Sequence, residues 1–316
     1  HYRGVMSLDL PLVRGHVDAA VALRESVAPV ALVRAGEADV ILVDGAGFVL
    51  LDEVEASPSG APVLRRLSGD EAVRAAEGGT ASFIGVAQGR SVVAIEVSRD
   101  EAWGRWEHLR TVGWQLDGDD AALALTALAL AGWHANYRFC PRCGAPVQLV
   151  SGGWAARCEA CDRLEYPRQD PAIIVLVEDH DGRVLLAHNA LWPPGFVSII
   201  AGYVEAGESP DITVAREVAE EVGVDIETPT YVATQPWPFG RSQMMGYRAR
   251  TALPRPTPQA DGVEIEWARF YSRDELTRAL DNGEISAPGR ASIAYALLRE
   301  WYGEELPSGP DGAGRN

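Results

Sequence analysis

Short apolar runs separated by turn residues characterise the leading part of the chain. Asp39–Val43 is followed after a Gly-containing turn by Phe48–Leu51, and Ser82–Ala87 is followed in the same way by Ser91–Val97. Paired runs of this length across a tight turn are typical of β-hairpins. We therefore predict two strand pairs in this region, which carries no motif with a chemical meaning that we can read.

Two longer apolar segments favour helices. The first begins near Asp119 or Asp120, runs to about His134 and is almost wholly apolar over Ala121–Ala131. An acidic start followed by such a segment predicts a buried helix, which is too short to cross a bilayer. The second segment covers about Ala291–Tyr302 and predicts the last helix of the chain.

The second half of the chain opens with the strand-like run Ala172–Glu178 and a turn at Asp181 and Gly182. Its end, Leu306–Asn316, is rich in Gly, Pro and Ser. A segment of this composition has too little apolar surface to form a core, so we expect it to be disordered.

The most informative segment is Gly202–Val224, with the sequence GYVEAGESPDITVAREVAEEVGV. Ser209 is a plausible N-cap, Pro210 suits the first helical turn and Gly223 suits the C-terminal stop. The pattern therefore predicts a loop that leads into a short helix.

Three glutamates, Glu217, Glu220 and Glu221, are spaced i, i+3 and i+4 on that helix and should project from one side. Grouped carboxylates suit Mg²⁺ or Mn²⁺, with phosphate as the usual co-ligand. A solvated acidic helix face is the alternative interpretation. It leaves unexplained the fixed offsets of Glu208 and Arg216, and Arg216 is expected to orient the glutamates through a bidentate ion pair.

The four cysteines of the chain form two Cys-x-x-Cys pairs, Cys140 with Cys143 and Cys158 with Cys161. Two such pairs separated by a short span can surround one structural Zn²⁺ with four thiolates. Two disulfides or a redox-active pair are the alternatives. A redox motif needs one pair rather than two, and no secretory signal supports oxidation, so zinc is favoured.

At this point the chain resembles a known family. Gly202–Val224 matches every defined position of the Nudix hydrolase signature, and a four-cysteine ribbon directly before a Nudix domain is similar to the NADH pyrophosphatases, which also remove NAD caps from RNA. That family carries a Gln-Pro-Trp-Pro-Phe-Pro-x-Ser motif, which Gln235–Ser242 matches except that Gly240 replaces the third proline. The resemblance covers about residues 137–300 and is weak before them.

The resemblance implies an α+β fold with a Nudix α/β/α sandwich and a mixed sheet. A zinc ribbon and an N-terminal mixed α/β domain, a degenerate Nudix-like domain, are expected to precede the sandwich. The expected boundaries are 1–136 for the N-terminal domain, 137–167 for the ribbon, 168–305 for the Nudix domain and 306–316 for the tail. A homodimer is expected as well.

The resemblance also assigns site residues. The expected catalytic residues are Arg216, Glu217, Glu220 and Glu221, and the glutamates would bind Mg²⁺ or Mn²⁺ with the carbonyl of Ala201 and with Glu264. An ordinary strand carboxylate is the alternative for Glu264. The expected substrate contacts are Tyr166, Gln235, Pro236, Trp237, Pro238, Phe239, Gly240, Arg241, Ser242, Arg110 and Ala294. Core packing is the alternative for Tyr166, and the six histidines are taken as structural or exposed.

The aromatic motif suggests base recognition, because planar rings such as Trp237 and Phe239 stack on a nucleobase or nicotinamide. Restoring the family residue by Gly240→Pro is expected to leave activity equal or better, since it would stiffen the loop.

The sequence thus predicts hydrolysis of NAD(H) to NMN(H) and AMP, with NAD-capped RNA as a further substrate. ADP-ribose, a dinucleoside polyphosphate or a non-catalytic nucleotide sensor are the alternatives. The chain has 316 residues, a formal net charge of −17 and no lysine, which argues against a general nucleic-acid coat and excludes lysine chemistry. With no apolar run of membrane-spanning length and no recognisable secretory signal, we expect a cytoplasmic protein without a membrane partner.

Overall fold

The computed structural model describes residues 8–52 and 60–307, which separate into two compact units. The first unit comprises Pro11–Gln169 and Trp237–Arg241. The second comprises Asp170–Pro236, the chain from Ser242 onwards and the described residues before Pro11. The aromatic segment Trp237–Arg241 therefore groups with the first unit, although the chain on either side of it belongs to the second.

A five-stranded sheet with the order β3-β4-β1-β2-β5 forms the centre of the first unit. Its strands are β1 Ala38–Val43, β2 Phe48–Leu51, β3 Thr80–Ala87, β4 Arg90–Glu96 and β5 Arg105–His108. Both predicted strand pairs are confirmed: β1 pairs with β2 and β3 with β4, each antiparallel. The two hairpins join into one sheet through β1 and β4, which pair in parallel.

The helices of the first unit are α1 Pro29–Arg34, α2 Gly69–Gly78, α3 Leu109–Val112 and α4 Gly118–Asn136. The buried helix α4 begins slightly before the predicted start, because the side chain of Asp117 caps it by accepting a hydrogen bond from the amide of Asp120. The ribbon follows as a three-stranded antiparallel sheet of β6 Val147–Val150, β7 Ala155–Cys158 and β8 Leu164–Glu165.

A mixed sheet forms the second unit, in the order β12-β13-β9-β10-β14, with β11 paired to β9. Its strands are β9 Asp170–Glu178, β10 Val184–Asn189, β11 Ile200–Tyr203, β12 Thr230–Trp237, β13 Ser242–Arg250 and β14 Ile265–Tyr271. Strand β9 lies parallel to β13 and antiparallel to β11. The helices are α5 Pro210–Val222, α6 Arg273–Asp281 and α7 Ile293–Tyr302.

Alternate side chains of β9 enter two different cores, as expected of a strand buried on both faces. Ile173 and Val175 pack with Val214 and Val218 of α5. Their neighbours, such as Ile174, pack with residues of α6 and α7. This is the predicted α/β/α sandwich with a mixed sheet, and it fixes α5 on one face and α7 on the other.

The last helix agrees with the prediction of about Ala291–Tyr302: α7 begins at Ile293, where the side chain of Ser292 accepts from the amide of Tyr295 and caps it. The predicted start of the tail differs from the structure. Leu306, which we assigned to a disordered tail, is 4% exposed and belongs to the core beside α7. The remainder of the predicted tail, from residue 308, lies outside the described residues.

None of the helices in the described ranges combines the length and the apolar character that a membrane crossing needs.

Candidate functional site

The four cysteines converge at one end of the ribbon sheet. The sulfur of Cys143 lies 3.4 Å from that of Cys158 and 3.7 Å from that of Cys161, and the Cys140 and Cys161 sulfurs are 3.8 Å apart. A tetrahedral zinc site with Zn–S bonds of about 2.3 Å requires sulfur separations of about 3.8 Å. A disulfide requires about 2.05 Å. All four cysteines are free, so this donor set fits zinc and not two disulfides.

Backbone geometry brings the two pairs of thiols together and lowers the pKa of one of them. The antiparallel pair β6 and β7 sets Val147 opposite Cys158, which brings the first Cys-x-x-Cys turn beside the second. The amide of Cys161 donates to Sγ of Cys158 and, as the largest cause, lowers the pKa of that thiol to about 6. A thiolate at neutral pH is the form that zinc binds.

Helix α5 carries the glutamates and is bounded much as predicted. Gly223 ends it with φ +62°, a left-handed conformation that glycine adopts without strain, and its amide caps the carbonyls of Val218 and Ala219. Ser209 occupies the N-cap position as predicted, although its side chain makes no capping hydrogen bond. The hydroxyl of Thr213 instead donates to Glu208 at 2.7 Å.

The first glycine of the segment is required by close packing. A Cβ atom at Gly202 would lie 2.1 Å from the carboxyl carbon of Glu217. Real side chains cannot approach so closely, so any residue other than glycine at position 202 would push the Glu217 carboxylate away. Gly202 therefore lets the carboxylate lie directly against the strand. The preceding residue, Ala201, carries the carbonyl that is expected to bind the metal.

Arg216 is the centre of an ion-pair network. Its Nε and Nη2 donate to the two carboxylate oxygens of Glu208 at 2.9 and 3.0 Å, as a bidentate pair. Its Nη1 lies 3.0 Å from Glu217 and 3.0 Å from Glu220. The hydrogen bonds from Arg216, followed by the one from Thr213, lower the pKa of Glu208 to about 2. Arg216 thus fixes the loop to the helix and orients two of the three helix glutamates.

The three glutamates do not share one environment. Glu220 is largely exposed, with 63% of its side chain accessible, whereas Glu221 is 5% exposed. Burial is the main cause that raises the pKa of Glu221 to about 8, and the nearby carboxylates of Glu217, Glu264 and Asp261 raise it further. One arginine cannot neutralise this many carboxylates, so the donor set is one that a divalent cation fits.

The additional carboxylate, Glu264, lies in the loop before β14, which begins at Ile265. Glu264 thus directly precedes the strand, and its assignment as a metal ligand stays a prediction. Its carbonyl accepts from the amide of Ala190, and Nδ2 of Asn189 lies 3.4 Å from its Oε1.

Asp261 holds this loop and was missed by sequence reasoning. Its Oδ1 accepts from the amides of Val263, Glu264 and Ile265 at 3.1, 3.1 and 2.8 Å. Its own amide donates to the carbonyl of Glu221 at 3.0 Å. The loop that carries Glu264 is therefore attached directly to the last turn of α5. An Asp three residues before Glu264 is the only sequence signal for this role.

Several predicted substrate contacts lie inside the second unit. Gln235 is fully buried and donates from Nε2 to the carbonyl of Ala291 at 2.8 Å. Ser242 is buried, and its hydroxyl lies 3.3 Å from that of Tyr203. Ala294 is buried within α7. Pro236, by contrast, is half-buried at the end of β12.

The aromatic residues of the motif meet Arg110 in the first unit. The rings of Trp237 and Phe239 contact edge to face, with centroids 4.9 Å apart. The guanidinium carbon of Arg110 lies 4.6 Å from the centroid of Phe239 and 5.6 Å from that of Trp237. Arg110, an expected substrate contact, therefore lies beside the two rings that are expected to recognise a base. His108 stacks on Phe239 and was not predicted; its position two residues before Arg110 was the only signal.

The turn after Phe239 contradicts our expectation for Gly240. This glycine has φ +132° and donates its amide hydrogen to Pro238, and Arg241 follows with φ +66°. Proline fixes φ near −65° and has no amide hydrogen. The premise of the expectation for Gly240→Pro, that a proline would fit this turn and stiffen it, is therefore contradicted.

Tyr166 follows the last ribbon strand in the first unit and is 61% exposed. This exposure contradicts the alternative that it packs in the core, and leaves its ring accessible.

Comparisons with known proteins agree with this architecture in three consecutive segments. Residues 27–133 match the NADH pyrophosphatase-like rudimentary NUDIX domain, residues 135–166 match the NADH pyrophosphatase zinc ribbon domain, and residues 168–302 match the NUDIX domain. The degenerate Nudix-like domain expected at the N-terminus is thereby confirmed.

Individual relatives point to the same group. The chain is 41% identical over 212 residues to the NAD-capped RNA hydrolase NudC of Stutzerimonas stutzeri, covering 67% of this chain and 73% of that protein. It is 39% identical over 201 residues to the NAD-capped RNA hydrolase NudC of Mycobacterium bovis, covering 61% of this chain and 64% of the relative's length. It is 36% identical over 213 residues to the mitochondrial NAD(P)H pyrophosphatase NUDT13 of Mus musculus, covering 64% of this chain and 60% of that protein. The chain belongs to the NADH pyrophosphatase family of Nudix hydrolases.

Proposed function

We propose that the protein hydrolyses the pyrophosphate bond of NAD(H) to NMN(H) and AMP. The observation that carries this proposal is the carboxylate cluster of α5, in which buried Glu221 lies near Glu217 and Glu264. Family membership and the printed activities of the relatives support the choice of NAD(H).

The residues that would hold Mg²⁺ or Mn²⁺ are Glu217, Glu220, Glu221, Glu264 and the carbonyl of Ala201. Such an ion, when bound, supplies charge neutralisation at the pyrophosphate and lowers the pKa of a coordinated water. Zn²⁺ in the ribbon is structural, because all four of its positions are filled by sulfur.

The protein's own groups position and deprotonate the nucleophile. A water oxygen attacks one phosphorus, the bridging P–O bond breaks, and each product leaves with one phosphate. A carboxylate of the cluster accepts the water proton. Arg216 holds Glu217 and Glu220 in place through its 3.0 Å contacts, while its bidentate pair with Glu208 prevents it from moving towards the substrate.

We assign base recognition to Trp237, Phe239 and Arg110. Aromatic faces stack on a purine or nicotinamide ring, and the guanidinium adds a donor beside them. The accessible ring of Tyr166 is a further candidate contact. Gln235, Ser242 and Ala294, which we also expected to contact substrate, are buried within the second unit. Pro236, Pro238, Gly240 and Arg241 complete the turn that carries the aromatic rings.

A substrate panel tests this proposal. NADH, NAD⁺, ADP-ribose and a diadenosine polyphosphate are each incubated with Mg²⁺ or Mn²⁺, and products are separated by chromatography. We expect NADH to give the highest kcat/KM and to yield NMNH and AMP. A higher kcat/KM for ADP-ribose or the polyphosphate would transfer the assignment to another Nudix substrate, and binding without turnover would support a sensor.

NAD-capped RNA is the second candidate substrate, because two of the relatives are named for its hydrolysis. The bond cut is the same pyrophosphate. A capped oligonucleotide and free NADH compared at equal concentration give the ratio of the two kcat/KM values, and the active-site variant Glu221→Gln should lose both activities together.

The proposal includes a homodimer in the cytoplasm, as expected from the resemblance. Light scattering on the purified protein measures the mass of the assembly, and a mass of one chain would contradict the dimer. Fractionation of the source cells tests the location.

A further inference from the structure

His108 occupies the centre of a ring cluster in the first unit. Its imidazole stacks on Phe239 with centroids 4.9 Å apart and an interplanar angle of 30°. Phe48 also contacts it in a T-shaped arrangement, with centroids 5.0 Å apart. Phe239, one of the two aromatic residues to which we assign base recognition, is therefore supported by the imidazole along part of its face.

Gly47 allows these rings to close on the backbone. A Cβ atom at this position would lie 2.7 Å from Nε2 of His108 and 2.9 Å from the ring of Phe239. Gly47 also has φ +102°, and its carbonyl accepts from the amide of Leu109. The turn before β2 thus holds the segment His108–Leu109 and leaves space for the Phe239 ring at the same time.

His108 also fixes Arg110. Its Nδ1 accepts a hydrogen bond from the amide of Arg110 at 3.1 Å, which caps α3. Burial, and then the charge of Arg110, lower the pKa of His108, so its ring is neutral and Nδ1 is free to accept near neutral pH. One side chain therefore sets both the plane of Phe239 and the backbone position of Arg110.

Arg110 has donor capacity left for a ligand. Its Nε is buried, yet among the described residues no atom accepts a hydrogen bond from it. A buried donor without an acceptor is unfavourable, and an oxygen of a bound molecule would satisfy it. A nucleotide offers both a planar ring that can stack on Phe239 and oxygen atoms that can accept from Arg110.

We propose that His108 is a positioning residue for nucleotide recognition, acting through Phe239 and Arg110. The proposal rests on the proposed function, because that function assigns Phe239 and Arg110 to base recognition. His108 itself is not required to touch the substrate or the carboxylate cluster of α5.

Three variants test this role: His108→Ala, His108→Phe and, as a matched control, His134→Ala. His134 is a buried histidine of the same unit that bonds the carbonyl of Gly153 at 2.8 Å, and its ring neighbour is Trp133 rather than Phe239. Kinetics with NADH separate KM from kcat, and calorimetry with AMP alone and with NMN alone measures binding without turnover. Thermal melting confirms that each variant is folded.

We expect His108→Ala to raise KM for NADH and to weaken binding of AMP or NMN by roughly three- to tenfold, the range for loss of one aromatic pair. Its kcat should change less than KM. His108→Phe keeps a ring against Phe239 and should recover part of the affinity. His134→Ala should lower the melting temperature with KM unchanged.

A folded His108→Ala enzyme with KM and mononucleotide affinity equal to the parent would overturn the proposal. So would a His108→Phe enzyme no better than His108→Ala, since the stack would then have no role. A parent enzyme that binds AMP or NMN but does not cleave NADH would contradict the proposed function alone, and the calorimetric comparison would still decide the role of His108.

Discussion

At the scale of single residues, Glu221 is the clearest case of function opposing stability. It is almost fully buried, and its pKa is raised to about 8 by burial and by three neighbouring carboxylates. A carboxyl group whose pKa is higher in the folded than in the unfolded chain is destabilising when ionised. The cost is absent below pH 4.5 and grows as pH rises towards 8, at about 1.4 kcal/mol per pH unit.

We therefore expect Glu221→Gln to abolish divalent-dependent NADH hydrolysis and to stabilise the metal-free protein. Melting temperatures are measured in chelator between pH 5 and pH 8, where the gain should be largest at pH 8 and vanish towards pH 5. Activity within a few-fold of the parent would refute the metal assignment. A variant less stable than the parent at pH 8 would refute the statement that the ionised Glu221 carboxylate destabilises the metal-free protein.

Gly240 gives the second prediction at this scale. Because its φ is +132° and its amide donates to Pro238, we expect Gly240→Pro to destabilise the turn by about 1 kcal/mol or more and to raise KM for NADH. Gly240→Ala, which keeps the amide hydrogen, should lie between the parent and the proline variant. A proline variant with parental KM and melting temperature would show that the turn adopts another conformation in solution.

Residue identities in contiguous motifs were predictable, whereas backbone angles were not. The glutamates, Arg216 and the four cysteines were found because their spacing along the chain is itself the signal. Gly240 was misjudged because a sequence shows that a proline is replaced, but not that the replacing residue has a positive φ.

At the scale of elements, the ribbon depends on its thiols. Its strands are only two to four residues long, so zinc binding should supply much of its stability. We expect Cys158→Ser to release one zinc per chain and to lower the melting temperature by on the order of 10 °C. Arg157→Gln, which removes an exposed ion pair with Asp162 next to Cys158, is the control and should keep its zinc. Freshly purified parent protein without stoichiometric zinc by elemental analysis would contradict the site.

The loop before β14 gives the second prediction at this scale. Asp261 bonds three amides of the loop and attaches it to the last turn of α5, beside Glu221. We expect Asp261→Ala to weaken Mn²⁺ binding about 10- to 100-fold, the usual effect of losing a group that orients a metal ligand. Asp261→Asn keeps an acceptor oxygen and should be affected less. Equal Mn²⁺ affinities in a titration of all three proteins would contradict this role.

Element boundaries were predicted where capping chemistry is local. Gly223 ends α5 as expected, because a left-handed glycine is a strong local signal. The use of a serine side chain as a cap was harder to predict than its position. Ser209 does not use its side chain to cap α5, whereas a serine we did not weigh, Ser292, does cap α7.

At the scale of the whole molecule, the fold class followed from the motifs, but the complete site did not. Asp261 and His108 each have one partner far away in the sequence: the Asp261 amide donates to the carbonyl of Glu221, and His108 stacks on Phe239, 131 positions later. Periodicity and spacing carry no information about contacts at such separations, so residues that act through another residue escape a sequence analysis.

The stability of the folded chain should also depend on pH through histidine. His134 in α4 is buried, and burial lowers its pKa below the usual 6.5, although its hydrogen bond to the carbonyl of Gly153 partly opposes the shift. A histidine with a lowered pKa in the folded state is neutral there while the unfolded chain takes up a proton, so stability is full above pH 6.5 and falls as pH decreases below it.

We expect the melting temperature of His134→Gln, which can still donate to Gly153 but cannot be protonated, to rise relative to that of the parent as pH falls from 7 to 5. His16→Gln, at an exposed histidine, is the matched control and should follow the parent curve. His108 has a lowered pKa as well, so His134→Gln should remove only part of the slope. Parallel curves for the parent and His134→Gln would show that protonation of His134 is not coupled to unfolding. That outcome would contradict the lowered pKa of this buried imidazole.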